Sequence, residues 1–580
     1  MVPDPIALRR ESSLSVMVFF IIIVTALSLC VLLPASSAPF ISTGEPREAV
    51  VSQSMLLHND LSYAVRYGDD IATKPPLLHW LIVFSAMVHG ELTELTSRLP
   101  SIISAVSILL TWGLVVSSLM GISIGVLTTA ILLSSSEWLR HASLARVDML
   151  LAATSNLALI ALFYWIKERK VLFLLLSAIP LSLAALTKGP IGVLLPLFLV
   201  FTLLIIRREL KFGMLIQLAI LSVSALTPLL FWYWNQMEAS DGASFNIFLS
   251  ENIDRLLGRM SKGEDPHLHG SFYLAGSLLT GILPWSLFCI PLLFSVIRKR
   301  SDIQRKYNEL GSAQKQLLQF ALATTIIWFC FYLLPSSKRG VYLLPAYPSI
   351  ALLLAMSVSY LESKCQKLLR RSAVIFAIFF LVLWLLVTLF LLNPASLEAL
   401  ISSPKALAKT QWYGQLLAIK SDALSAGILL SLLLPVFLIG SLLHLHRKQL
   451  LPPSLLFCSS FLVVYVGVKI QIILPVAQAL SPENALRSLF SERRPKTVTL
   501  NDARLYAPVF YLRRAYPEVA VTAVSSPQAV VLGVIKTNEE RKQSQIISAA
   551  PSLKPDRHLY IEQESLSSIS EQEAHITYLK

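Results

Sequence analysis

The chain has 580 residues, of which 55% are hydrophobic and only 14% charged, a balance that excludes an ordinary soluble enzyme and indicates a polytopic membrane protein. Its formal charge of +14 does not argue for nucleic acid, because Lys and Arg fall in short clusters between apolar runs, as in loops retained on one side of a bilayer. The five cysteines (Cys30, Cys289, Cys330, Cys365 and Cys458) show no paired or metal-type spacing, so neither a disulfide framework nor a cysteine zinc site is expected.

The first apolar run, Leu14 to Leu33, follows Arg9 and Arg10 and is too long for the core of a signal peptide, so it reads as an uncleaved first span. At about twenty residues per span, further helices are predicted near 98–117, 121–138, 147–166, 171–187, 190–206, 214–234, 273–296, 316–334, 341–360, 372–392, 424–444 and 453–474. With the first, these make thirteen. The basic clusters at 167–170, 207–211, 298–306, 364–371 and 446–448 all fall on the side of Arg9 and Arg10, which the positive-inside rule makes the cytoplasm. An odd number of spans then puts the C-terminus outside.

Three outer segments are long. The first, 35–97, holds GEPREAVVSQSMLLHND and KPPLLHWLIVFSAMV, apolar but too short to cross and interrupted by Pro75 and Pro76, so both read as interfacial amphipathic helices. The second, 235–272, is polar; the third, 393–423, offers no legible chemistry. Residues 1–474 therefore form a membrane domain. Residues 475–580 read as a small external α/β domain with a polar tail: KTVTL, VAVTAV and AVVLGVI are β-like and NDARLYAPVFYLRRA is helix-like.

Ionisable groups at the edge of spans are costly and default to functional candidates. Most collect on the outer face: Glu45, Arg47 and Glu48 after the first span, Arg66, Asp69, Asp70 and Lys74 in the same loop, and Arg146 with Asp148 opening the fourth span. Lys188 lies where the fifth emerges, Glu251, Arg255, His267 and His269 occupy the second outer loop, and Lys338 and Arg339 precede the tenth span, which Tyr342 helps to open. Each also has a plain structural reading. Pro46 suits a first helical position, with Glu45 as cap and Glu48 as the third-position acid of a capping-box-like start. Asp148 could complement a helix dipole, Lys188 could snorkel, Lys338 and Arg339 could be interface anchors, and Trp285 reads as core. His267 and His269, two apart, have a spacing open to a divalent metal in an extended loop, though two loop histidines are more often solvated.

GEPREAVVSQSML, TKPPLLHWL, ARVDMLLA, LTKGPIGVLLPL, ENIDRLLG with HLHGSFYL, GILPWSLF and SSKRGVYLLPAYPSIALLLA resemble, in order and spacing, motifs of the bacterial lipid-linked-sugar transferases. That group includes the lipid A aminoarabinose transferases and the relatives of protein O-mannosyltransferases within the glycosyltransferase C-type (GT-C) superfamily. The likeness covers roughly residues 14–360. It implies a GT-C membrane fold, a polyprenyl-phosphate sugar donor, a cell-envelope lipid or glycan acceptor, and a site at the outer face of the bacterial inner membrane. It also implies a required acid in the first outer loop. Where the common form of that loop begins Asp-Glu, this chain has Gly44 and retains Glu45, so Glu45 is the leading catalytic candidate, with Glu48 second and Asp148 beside them. The acid that often precedes KPP is Thr73 here, which weakens the case for a metal. Arg47, Lys74, Arg255, Lys338 and Arg339 are the cations available to the donor phosphate; Arg146, Lys188, Glu251 and Tyr342 are candidates for the substrate pocket. No cofactor is required. Direct displacement predicts inversion at the anomeric carbon. A protein O-glycosyltransferase and a non-catalytic lipid-linked-sugar transporter remain alternatives, although a transporter would place its charges nearer the bilayer midplane.

Overall fold

The computed structural model describes residues 14–40, 42–62, 64–67, 70–240, 242–250, 268–288, 300–335, 337–392, 426–448, 451–479, 481–490, 497–500, 505–522, 530–536, 546–551 and 557–563. Helix α1 (Leu14–Leu32) is nineteen residues of VFFIIIV-like sequence, about 28 Å at 1.5 Å per residue, which matches a hydrocarbon core. Its β-branched residues would weaken a helix in water. In lipid every backbone group must be satisfied internally, so the helix forms regardless, and Phe19 and Ile22 stay exposed on its outer side.

The next two helices are α2 (Gly44–His58) and α3 (Leu77–His89), where the interfacial helices were predicted. They differ in what they face. Phe84, Met87 and Val88 of α3 are exposed, an apolar surface suited to the membrane boundary. By contrast, α2 is buried at Glu45, Pro46 and throughout Glu48–Met55, so it is a packed element of the protein.

Then follow α4 (Glu94–Met120), α5 (Ile122–Leu133), α6 (Ser136–Ala142), α7 (Val147–Glu168), α8 (Val171–Lys188), α9 (Ile191–Ile206) and α10 (Phe212–Ala239). Gly121, at φ +94°, allows α4 to reverse directly into α5. The span predicted at 121–138 is interrupted: α5 and α6 meet at 70°. The hydroxyls of Ser134 and Ser135 donate back to the Ala130 and Ile131 carbonyls, while the Ser136 N–H leaves the helix path to reach Leu283 O. Polar side chains bind the bundle from within. Asn156 of α7 accepts from Trp112 Nε1 of α4 at 2.8 Å and donates to Pro345 O at 3.0 Å, the kind of interhelical hydrogen bond that replaces the hydrophobic effect inside lipid.

Further on lie helices Phe272–Gly281, Ser312–Leu333, Tyr347–Leu392, Ala426–Arg447 and Pro453–Val468. Nine helices among the described residues are long and apolar enough to cross a membrane, ten if the bent α5–α6 pair is one span. Thirteen were expected. The 16-residue α9 is shorter than a typical span, and the segments predicted at 273–296 and 424–444 fall partly outside the described residues. Several basic clusters lie together at one end of the bundle. Arg169 pairs with Glu209, Arg207 reaches Gln319, and Lys364 pairs with Asp302 at 3.2 Å. Trp285 is core, as its apolar context suggested: it donates to Ser134 Oγ at 2.7 Å and packs on Phe457.

The C-terminal region forms a five-stranded sheet of order β2-β1-β3-β5-β4, with β1 Thr497–Leu500, β2 Ala520–Thr522, β3 Val530–Lys536, β4 Ile546–Pro551 and β5 Arg557–Gln563. β1 runs parallel to β2 and β3, with helix Tyr506–Ala515 in the connection from β1 to β2, as a parallel pair requires a crossover. The last two strands pair antiparallel. Helix Tyr506–Ala515 packs on the first outer loop: Gln53 Nε2 donates to Phe510 O, and Arg513 Nη1 donates to Ser54 Oγ and Arg66 O.

Candidate active site

The first turn of α2 supplies Glu45, Arg47 and Glu48. The helix begins at Gly44 with Thr43 as N-cap and no side-chain cap, so the expected capping role of Glu45 is not realised. Its carboxylate turns inward to α4. Arg98 Nε donates to Glu45 Oε1 at 2.8 Å and Nη2 to Oε2 at 3.1 Å, while Ala145 N–H donates to Oε1 at 3.1 Å. The same guanidinium donates to Ser36 O and Ala38 O and lies over the Phe40 ring. Both partners are buried. Glu45 thus ties together α2, α4, the segment leaving α1 and the loop entering α7.

Glu48 lies one turn on. Arg47 donates to its Oε1 from Nε at 3.0 Å and from Nη2 at 2.7 Å, and His79 Nε2 of α3 shares a 3.0 Å hydrogen bond with Oε2. Burial pushes this carboxyl up, but the charges and hydrogen bonds of Arg47 and His79 prevail and hold it well below the usual carboxylate range. Glu48 is an anion.

Asp148, in the first turn of α7, receives Lys188 Nζ from the end of α8 at 2.7 Å. Lys188 also stands 4.6 Å from the centre of the Tyr342 ring, which packs on Tyr332. This ammonium is held by protein groups and does not snorkel. Arg146, immediately before α7, lies within electrostatic range of Asp148, Arg339, Arg47 and Glu45. Lys338 is buried and donates to Pro335 O at 2.5 Å. An isolated bridge between Leu268 and Ser337 brings the end of the second outer loop beside this segment. On α6, Glu137 accepts from Arg140 and pairs with His141.

The structure therefore brings Glu45, Arg47, Glu48, Arg146, Asp148, Lys188, Arg339 and Tyr342 to one end of the bundle. Lys74 is half-buried just before Pro75. Glu251, Arg255 and His267 lie outside the described residues. His269 is exposed and stacks on Tyr273 with ring centres 4.0 Å apart; no cluster of three metal-ligating side chains occurs among the described residues. Two partners, Arg98 and His79, were not singled out from sequence. Arg98 had a signal: it stands at the very edge of the span predicted from 98, where an ionisable group asks for a partner. His79 lay within an apolar run and carried none.

The fold and this charged pocket define a class: a multi-pass α-helical membrane protein with a cluster of acids and bases at one end of its helix bundle. Residues 73–233 match the family described as dolichyl-phosphate-mannose-protein mannosyltransferase. The crystal structure of ArnT from Cupriavidus metallidurans bound to undecaprenyl phosphate superposes with TM-score 0.67 at 16% identity, covering 95% of this chain and 98% of that one. The undecaprenyl phosphate-α-4-amino-4-deoxy-L-arabinose arabinosyl transferase of Shewanella sediminis is 25% identical over 63% of this chain and 65% of its own length. An uncharacterized protein of Aquifex aeolicus is 25% identical over 60% of this chain and 66% of its own. The chain thus spans just under two thirds of the length of these curated relatives. The resemblance to lipid-linked-sugar transferases drawn from the motifs holds.

Proposed function

We propose that this protein is an integral-membrane glycosyltransferase. It moves a sugar from a polyprenyl-phosphate donor to a cell-envelope acceptor, a lipid A-like glycolipid being favoured, at the outer face of the bacterial inner membrane. The observation that carries this reading is that a fold shared along nearly its whole length with ArnT gathers the cations Arg47, Arg98, Arg146, Lys188 and Arg339 and the carboxylates Glu45, Glu48 and Asp148 at one end of the bundle. The N-terminus lies in the cytoplasm and the C-terminal region outside, in keeping with the basic clusters at the opposite end.

The chemistry follows from charge. A sugar leaves its lipid phosphate readily if the developing negative charge meets fixed cations in a site that excludes water. Arg47 and Arg339, with Lys74, Lys338 and Arg255 as further candidates, supply them. Lys188, Asp148 and Tyr342 form a rigid wall that orients the sugar. Glu48 is fixed as an anion and suits a hydrogen-bonding or electrostatic role toward a sugar hydroxyl or amino group. Glu45, whose oxygens are engaged by Arg98 and Ala145, positions the loop. In-line displacement inverts the anomeric centre.

Reconstituted protein supplied with a labelled polyprenyl-phosphate sugar and cell-envelope lipid should transfer label to the lipid fraction. No transfer to any membrane acceptor would refute the enzyme reading. The family match favours one rival, a protein acceptor. Mass spectrometry of envelope lipids and glycoproteins from a strain lacking the chain separates the two: loss of a protein glycan alone would shift the acceptor to protein.

A further inference from the structure

The charged pocket lies at the N-terminal end of α4. The other end of that helix, Met120, is about 40 Å away, twenty-seven residues at 1.5 Å each. Three further helices share that end: α5 begins beside Met120, Ser312–Leu333 starts there, and the span Gly340–Lys364 finishes there. A cavity of about 250 Å³ opens between them, walled by Ile124, Ile303, Leu318 and Met356. Because its walls are the last turns of spans, it stands where hydrocarbon gives way to lipid headgroups. Tyr307 and Tyr360, which also line it, are of the residue type enriched at that level.

One side of the cavity is helix Arg300–Glu309, in which no residue is buried. Ile303, Lys306 and Tyr307, at helical spacing, turn toward the cavity, while Gln304, Arg305 and Glu309 are exposed. Among the described residues Lys306 is the one charged side chain that lines the space. Its ammonium lies 5.4 Å from the centre of the Tyr360 ring; that of Lys315 lies 5.9 Å from the Tyr307 ring and donates to Asn308 O at 2.8 Å. Neither lysine forms an ion pair among the described residues. Asp302, one turn before Lys306, is the carboxylate that would otherwise serve. Its oxygens are taken by Arg305 at 2.6 Å, the Tyr360 hydroxyl at 2.9 Å and Lys364 at 3.2 Å. Two ammonium groups without counter-ions thus stand beside an apolar cavity, an arrangement that fits an amphipathic anion.

We propose that this cavity binds one anionic glycerophospholipid of the surrounding leaflet, with an acyl chain among Ile124, Leu318 and Met356 and the headgroup phosphate held by Lys306 and Lys315. Charge decides the headgroup. A phosphatidylglycerol-type phosphate brings an unbalanced negative charge to the two ammonium groups, whereas phosphatidylcholine brings a quaternary ammonium of its own. Basic pockets between the ends of spans recognise lipid headgroups in this way. The bound lipid bridges helix Arg300–Glu309 to the bundle, and the site uses none of the residues assigned to sugar transfer.

The test uses the full chain in maltoside micelles and three probes: didecanoyl phosphatidylglycerol, didecanoyl phosphatidylcholine and glycerol phosphate, with bound lipid counted by native mass spectrometry. The wild type should hold phosphatidylglycerol about tenfold tighter than phosphatidylcholine, the scale of a charge-assisted hydrogen bond. Lys306→Gln should remove that preference; it lies on a helix with no buried residue, so folding is not at stake. Lys211→Gln, at an exposed basic position of the same end, should leave the preference intact. A diazirine near the end of the phosphatidylglycerol chain should form adducts with helix Ser312–Leu333 or with Met356. Equal affinity for the two lipids, equal losses in Lys306→Gln and Lys211→Gln, or adducts confined to other helices would overturn the proposal. Displacement of phosphatidylglycerol by equimolar glycerol phosphate would overturn it too, by making this a site for a free phosphate. None of these measurements reads sugar transfer, so this site and the transfer reading stand or fall separately.

Discussion

Glu45 and Arg98 meet through two parallel hydrogen bonds, 2.8 and 3.1 Å, across 53 residues of sequence, with both side chains buried. A bidentate guanidinium and the Ala145 N–H engage both carboxylate oxygens with protein donors. The residue that led the sequence candidates is therefore better placed to hold the loop than to act as a base.

Removing one member of such a pair strands the other in a buried place. Arg98→Ala is expected to cost about 3–5 kcal/mol of stability, and Glu45→Gln less, because the amide oxygen can still accept from Arg98. Thermal unfolding of the two single variants and the double variant, in one detergent, measures the coupling. Additive losses would show that the pair does not bind α2 to α4. Glu45→Gln with unaltered melting but no transfer would return the residue to chemistry.

The Lys188 ammonium, shared between Asp148 and the Tyr342 ring, gives a second expectation. Lys188→Met should lower transfer by about 100-fold, the scale of losing one preorganised charge in a water-poor site. Tyr342→Phe keeps the ring face and should change the rate little, whereas Tyr342→Ala removes a contact of about 0.5–2 kcal/mol. Steady-state kinetics with varied donor check both. A Tyr342→Phe variant as impaired as Lys188→Met would mean that the hydroxyl, not the ring, does the work.

Glu48 sets a pH expectation. Its folded carboxyl lies below the ordinary value, so its contribution to stability is complete above about pH 4.3, the unfolded value, and is lost only as pH falls through the lower folded one. The stability deficit of Glu48→Gln relative to wild type should hence be constant between pH 5 and 8 and shrink only in stronger acid. Paired melting curves across that range decide it. A deficit that fades near neutrality would overturn this reading of Glu48.

Sequence alone placed the outer loop helices, the helix of the C-terminal region and the charges at one end of the bundle, because hydropathy and charge clusters are local signals. The partnerships were not legible. Nothing near Glu45 names Arg98, Glu48 finds His79 only once α3 folds beside α2, and the empty space at Gly44 becomes informative only when Arg146 is seen to fill it. The break between α5 and α6 was missed for a related reason. Ser134 and Ser135 are compatible with a continuous apolar helix until Leu283 offers an acceptor for the Ser136 N–H outside it. Strands β4 and β5 lie in sequence that reads as a polar tail, and it is their pairing that defines them.

The C-terminal region reaches the site through Tyr511. Its hydroxyl donates to Glu94 Oε1 at 2.6 Å and accepts from Phe40 N–H at 2.9 Å, with Phe40 lying under Arg98. Tyr511→Phe strands a buried N–H and removes the carboxylate's donor, a loss of about 1–3 kcal/mol, although the ring still packs on Phe510. Because Glu94 also receives Arg514 Nη1 at 3.2 Å, the effects of Tyr511→Phe and Arg514→Ala should not add. A double-mutant cycle read by thermal unfolding measures that coupling. If the contact sets the position of α2, Tyr511→Phe should also lower transfer while leaving the expression and membrane insertion of the chain unchanged. Unchanged transfer in a variant with the expected loss of stability would confine the helix Tyr506–Ala515 to holding the fold, with no part in placing Arg47 and Glu48.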